Sequence, residues 1–228
     1  LSDFRNYHAA EVEFAPGINL ILGRNGQGKT NLVEAIAYFA TLGSHRVTTE
    51  GALIRAGAES AIARMRIAVS TRDALLEIQL NRGQANRAQI NRNPVKPREL
   101  LRWFSSVMFA PEDLSIVRGE PALRRRFLDE AVVARNPALA GVLADYDRVV
   151  RQRSSLLKST RLTGKRSAVE ATLSVWDEQL IEFGSRIMFE RHRLVSELAP
   201  FLAASYFALV GVDHAPGMTL SETALGPV

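Results

Sequence analysis

Cysteine is absent from the chain. That excludes disulfides, thiolate zinc sites and cysteine nucleophiles. No uninterrupted apolar run approaches the ~20 residues of a membrane-spanning helix, and no signal peptide opens the chain. A cytoplasmic location away from membranes is therefore expected. Aromatic residues are scarce, at 7%, and Trp103, Phe104, Trp176 and Phe183 fit a core better than a base-stacking platform. His8, His45, His192 and His214 share no ligand spacing, so no metal beyond a nucleotide-bound Mg²⁺ is expected. Excess charge is also small. Against 24 Asp and Glu stand 29 Lys and Arg, a net charge of +5. Such a balance favours anionic partners only mildly, so the placement of arginines matters more than their number. The chain opens at Leu1 rather than Met and stops at Gly226-Pro227-Val228 without a closing element. Both ends lead us to expect an excerpt of a longer protein.

Within its 228 residues there is room for one domain with a real core, or for one domain plus an appendage. The pattern divides into 1–120, 121–210 and 211–228. In the first region, Glu11-Val12-Glu13-Phe14 alternates as a half-buried strand does, and Ile18-Asn19-Leu20-Ile21-Leu22 reads as a short buried strand. Leu32, Ile36 and Phe39, with Val33 and Ala40, mark one face of a helix. Met65, Ile67 and Val69 alternate, as do Leu76, Ile78 and Leu80, with Asn81-Arg82-Gly83 as a hairpin turn. Asn93-Pro94 and Pro97 mark a loop. The second region is helical. Pro121 suits a first helical turn, and Asn136-Pro137 separates two helices. Leu139, Leu143, Tyr146, Val150, Arg153 and Leu157 follow heptad spacing. So do Val169, Leu173, Trp176, Leu180, Phe183, Ile187, Glu190 and Leu194. With a turn at Leu162-Thr163-Gly164-Lys165, this reads either as an antiparallel coiled-coil hairpin or as two core helices of a bundle. Met218-Thr219-Leu220 reads as the start of a strand returning to the first region.

The strongest local signal is Gly23-Arg24-Asn25-Gly26-Gln27-Gly28-Lys29-Thr30, which matches GxxxxGK[ST]. The glycines let backbone N–H groups turn inward around phosphate oxygens. Lys29 would place its ammonium on the β- and γ-phosphates. Thr30 would offer a hydroxyl to Mg²⁺, Asn31 is a further nucleotide-binding candidate, and the helix that follows, beginning near Thr30, would add its dipole. A strand-like run before the loop and a helical pattern after it supply the context that the motif needs. By itself the motif does not separate kinases, GTPases, transporters and helicases.

Longer stretches carry a resemblance. Leu1-Ser2-Asp3-Phe4-Arg5-Asn6-Tyr7, Gly26 to Ile36, and Gly43-Ser44-His45-Arg46 resemble the RecF family of recombination mediators, whose heads are similar to those of SMC proteins. The most distinctive segments are Phe109-Ala110-Pro111-Glu112-Asp113-Leu114, Gly119-Glu120-Pro121 and Arg124-Arg125-Arg126-Phe127-Leu128-Asp129. The helical hairpin and the Leu225-Gly226-Pro227 tail fit the family's order. The resemblance implies an α/β fold: an ABC-ATPase-type head lobe, with mixed β strands around a Walker A helix and a helical insertion. It also implies an ATP-dependent DNA-binding protein of recombinational repair, replication-fork maintenance and the SOS response. ATP and Mg²⁺ would be its cofactors. DNA, single-stranded or at a single/double-strand junction, the RecR and RecO mediator proteins and a second head in an ATP-dependent homodimer would be its partners. Signature and Walker B segments are not found in the sequence. These 228 residues are therefore expected to bind nucleotide weakly or not at all and not to hydrolyse it alone.

Other residues follow from the same resemblance or from charge. Arg5 and Arg46 are further nucleotide candidates, Arg46 also for DNA. Glu112 and Asp113 sit where related heads sense the γ-phosphate or Mg²⁺. Arg148, Arg151 and Arg153 on the first arm are DNA candidates, as are Arg161, Lys165 and Arg166 near its tip, although a solvated helix flank explains them equally well. Two other classes of function stay open: a small P-loop kinase, and a non-enzymatic interaction module that uses the arm.

Overall fold

A computed structural model describes residues 1–69, 72–163 and 167–221. The chain forms two compact units, Leu1–Glu120 and Pro121–Val228. In the first, six strands join in the order β2-β1-β3-β4-β5-β6. They are β1 (Ser2–Phe4), β2 (Tyr7–Ala9), β3 (Ser60–Val69), β4 (Arg72–Asn81), β5 (Arg87–Ile90) and β6 (Asn93–Val95). All pairings among the described residues are antiparallel.

The alternation read in the sequence builds the sheet's inner face. Leu76, Ile78 and Leu80 are fully buried and meet Ala61 and Ala63 of β3 and Ala88 and Ile90 of β5. Their intervening neighbours, Leu75, Glu77 and Gln79, are only partly buried, as period two requires. Helix α1 (Lys29–Thr41) packs on this core through Ala35, Tyr38 and Phe39. The apolar count marks much of its buried side, since Leu32, Phe39 and Ala40 are buried, but not all of it. Val33 is exposed and Ile36 only partly buried, whereas Glu34 and Tyr38 are buried. Tyr38 and Glu34 turn inward because each has a polar partner. The Tyr38 hydroxyl donates to Glu50 at 2.5 Å, and burial, with that acceptor beside it, pushes the phenol far above its ordinary range.

Several expectations are corrected. Asn93-Pro94 is not loop but edge strand β6, where proline costs no ladder bond on the open side. It is reached by a two-residue turn, Asn91-Arg92, with φ of 50° and 68°. Glu11–Phe14 and Ile18–Leu22 are irregular, and Ile18, Leu20 and Leu22 are 100%, 78% and 79% exposed. Met218–Leu220 is irregular too. A strand requires a neighbour for its N–H and C=O groups, and among the described residues none pairs with these stretches. Trp103 is 40% exposed at the end of a 3-10 turn, Pro97–Arg102, while Phe104 packs on the core.

The second unit holds α3 (Pro121–Arg135), α4 (Leu139–Thr163) and α5 (Ser167–Val210), preceded in the first unit by the short α2 (Ser115–Arg118). Arg153 meets Asp177 at 2.6 Å, and Gly184 lies against Tyr146, so α4 and α5 run antiparallel as a hairpin. Leu162 and Thr163 continue α4 rather than turning. Gly164, Lys165 and Arg166 lie outside the described residues, as does the Leu225-Gly226-Pro227 tail. The α4 seam differs from the heptad as counted. Val149 is fully buried and Val150 is 37% exposed, and Leu156 is more buried than Leu157. Both positions of each pair are apolar, so sequence spacing alone cannot choose between them. On α5, Ile187 and Leu194 are buried as the spacing implies. By length and composition alone, α5 also contains a stretch within Thr172–Val210 long and apolar enough to cross a membrane. Counting uninterrupted apolar runs misses it, because Glu197 and Pro200 interrupt the sequence.

Candidate nucleotide-binding site

The loop from Gly23 to Gly28 leads directly into α1, whose N-cap is Gly28 with φ 104° and ψ 4°. A side chain there is excluded twice over. The backbone is left-handed, and a Cβ would stand 2.6 Å from Asn6 Oδ1 and 2.9 Å from Tyr7 Cζ. Gly26 is left-handed too, with φ 82°. Lys29 begins the helix, and its Nζ donates to the carbonyls of Gly23 and Arg24 at 2.7 and 2.8 Å. The ammonium is thus held across the mouth of the loop by the loop's own backbone. Gln27 folds back so that its Oε1 accepts the Arg24 N–H at 3.1 Å. Asn25 is exposed to solvent, and Thr30 is exposed on the first helical turn. No acidic side chain lies in that turn, so the helix N-terminus presents a positive field.

Arg5 and Arg46 are brought to the same helix by a carboxylate that sequence reasoning did not single out. Arg5 and Asn6 form the two-residue turn between β1 and β2, with Arg5 at φ 54°. Arg5 donates to Glu34 through Nε at 2.8 Å and through Nη2 at 2.7 Å, and to the Ala52 carbonyl through Nη1 at 3.0 Å. Arg46 approaches Glu34 Oε2 at 3.6 Å and donates to Asn31 Oδ1 at 2.8 Å. Asn31 in turn donates to Asn6 Oδ1 at 2.7 Å. The Ser44 hydroxyl donates to Glu34. Burial would push the Glu34 carboxyl up. The hydrogen bonds from Arg5 and Ser44 and the charges of Arg5 and Arg46 outweigh it and hold the group below the ordinary glutamate value. Two arginines flanking the motif in sequence, at 5 and 46, were the available signal for a buried acid between them.

Beside this network, Arg5, Asn6, Asn31, Arg46, Ala52 and Arg82 line an open groove. Arg82 is fixed by the carbonyls of Ala58 and Ile54 at 2.9 and 3.3 Å. Asp113 acts locally, since its carboxylate accepts the Ala110 N–H at 2.7 Å and caps the 3-10 turn Pro111–Leu114. Glu112 is exposed in the same turn. The arm arginines belong to the other unit. Arg148 pairs with Asp145 at 3.0 Å and Arg153 with Asp177, whereas Arg151 is exposed and makes no ion pair among the described residues.

Comparison with known proteins gives concordant results. Residues 1–148 match the RecF/RecN/SMC N-terminal domain family. A protein of Clavibacter michiganensis subsp. michiganensis named DNA replication and repair protein RecF is 56% identical over 216 residues, covering 95% of this chain and 54% of its own length. A protein of the same name from Leifsonia xyli subsp. xyli is 53% identical, covering 99% of this chain and 59% of its own. A solved structure of the recombination mediator protein RecF with ATP, in the RecFOR pathway, superposes with a TM-score of 0.85 at 27% identity, covering 98% of this chain and 62% of its own. The chain therefore spans about half the length of the curated relatives that it matches.

Proposed function

The chain belongs to the RecF/RecN/SMC N-terminal domain family, and on that premise we propose that it binds ATP through Gly23 to Asn31 as part of an ATP-dependent DNA-repair clamp. The α/β head lobe and its helical insertion carry this reading structurally. The observation that supports it most is the loop itself: a left-handed Gly28 opens α1, with Lys29 Nζ held over the loop carbonyls. A triphosphate would replace those carbonyls as the acceptor for the Lys29 ammonium and draw on the loop N–H groups and the helix dipole. Thr30 would ligate Mg²⁺. The metal supplies charge neutralisation, and the chain's own residues supply positioning.

In this reading the partners are DNA, the RecR and RecO mediator proteins and a second head, in the cytoplasm and without a membrane. Hydrolysis needs an acid and a signature segment that the sequence does not provide, so turnover by these residues alone is not expected. A small P-loop kinase is less well supported, because the relatives compared are named as replication and repair proteins. Calorimetry with MgATP on this chain and on its Lys29→Ala variant tests the reading. Weak binding that is lost in the variant is expected. Equal binding by both chains would remove the P-loop from the function.

A further inference from the structure

Glu34 and Ser44 are the buried polar side chains among the described residues, and Glu34 alone is charged, at 1% exposure. A buried carboxylate is costly unless it is paired and hydrogen-bonded. One arginine would suffice to hold α1 in the core, and Arg5 already does so with a two-point contact. The second arginine, Arg46, comes from a separate segment. It sits beside Glu34 Oε2 at the longer distance of 3.6 Å, with its side chain 35% exposed, and it reaches Asn31 in the first turn of α1. The turn that carries it is fixed to the same acid, because the Ser44 hydroxyl that donates to Glu34 also accepts the backbone N–H groups of Arg46 and Val47 at 3.0 and 3.2 Å.

We propose that Glu34 is a positioning residue for nucleotide binding. It fixes Arg46, and through Arg46 the amide of Asn31, beside the phosphate-binding loop before nucleotide arrives. Arg5 satisfies most of the carboxylate's charge, and the remainder orients Arg46 without burying it. A guanidinium held in this way loses little freedom on meeting an anion, which favours binding. The proposal rests on the P-loop reading above.

Glu34→Gln keeps the volume and an acceptor for Arg5 but removes the charge shared with Arg46. MgATP titrations of the wild type, Glu34→Gln, Arg46→Ala, the double variant and Lys29→Ala, each with a thermal melt, separate the possibilities. Glu34→Gln is expected to bind about ten-fold more weakly, as for loss of one charge-assisted contact. In the Arg46→Ala background the same change should have no further effect. A folded Glu34→Gln with wild-type affinity overturns the proposal, even if its melting point is lowered. So do losses that multiply in the double variant, since Glu34 then does not act through Arg46. If Glu34→Gln gives no cooperative melt, Ser44→Ala replaces it. About five-fold weaker binding is expected there, and unchanged binding overturns the proposal. Equal binding by the wild type and Lys29→Ala would instead defeat the P-loop reading and this inference with it.

Discussion

Gly28 shows how much one residue can decide. Its φ of 104° costs a residue with a Cβ on the order of 1 kcal/mol in backbone strain. The larger effect is steric, because the added carbon would stand 2.6 Å from Asn6 Oδ1 and 2.8 Å from Asn6 Nδ2. Asn6 cannot give way freely, since its Oδ1 also accepts from Asn31. Gly28→Ala should therefore shift the turn that joins the loop to α1 rather than only strain it. We expect MgATP affinity to fall at least ten-fold, with stability reduced by roughly 1–3 kcal/mol in urea unfolding. Gly17→Ala, at φ 90° and outside the phosphate-binding loop, is the control. A Cβ there meets nothing within 4 Å, so strain is its only local penalty. If the two variants bind ATP alike, the contact with Asn6 does not shape the site.

At the level of elements, legibility follows the range of the forces involved. The loop, α1 and the β4 alternation are specified by neighbours in sequence, so Gly23 to Thr30 and Leu76-Ile78-Leu80 could be read directly. Ile18–Leu22 has the composition of a buried strand, but pairing depends on a distant partner, and composition cannot supply one. Glu34 was hidden for a related reason: a carboxylate on an apolar helix face reads as a solvent-facing position unless Arg5 and Arg46 are known to converge on it. The α4 seam makes the same point at finer grain. Val149 and Val150 are equally apolar, and only packing against the neighbouring helices makes Val149 the buried one. Val149→Ala should cost about 2 kcal/mol, a core truncation with partial collapse, and Val150→Ala under about 0.5 kcal/mol. Chemical denaturation followed by circular dichroism at the helix band would compare them. A larger cost at Val150 than at Val149 would restore the seam counted from the sequence.

Across the whole molecule the question is where a net charge of +5 acts on a polyanion. Arginines already paired with acids contribute little field, although exposed pairs are weak, about 0–1 kcal/mol, and can be exchanged for phosphate. On the arm this ranks the three candidates. Arg151 makes no ion pair among the described residues, Arg148 must leave Asp145, and Arg153 must leave Asp177 on the facing helix. If the arm lies against duplex DNA, each phosphate contact adds about 0.9 to the slope of log affinity against log salt. Arg151→Ala should then lower the slope by about that much, while Arg153→Ala should lower it by less and slightly destabilise the hairpin. Fluorescence anisotropy with a labelled duplex, between about 50 and 200 mM salt, reads both effects. A triple variant at 148, 151 and 153 with an unchanged slope would assign these arginines to the solvated flank of the hairpin. DNA binding would then fall to the basic residues of the strand-bearing unit, where Arg46 and Arg82 line the groove beside the phosphate-binding loop.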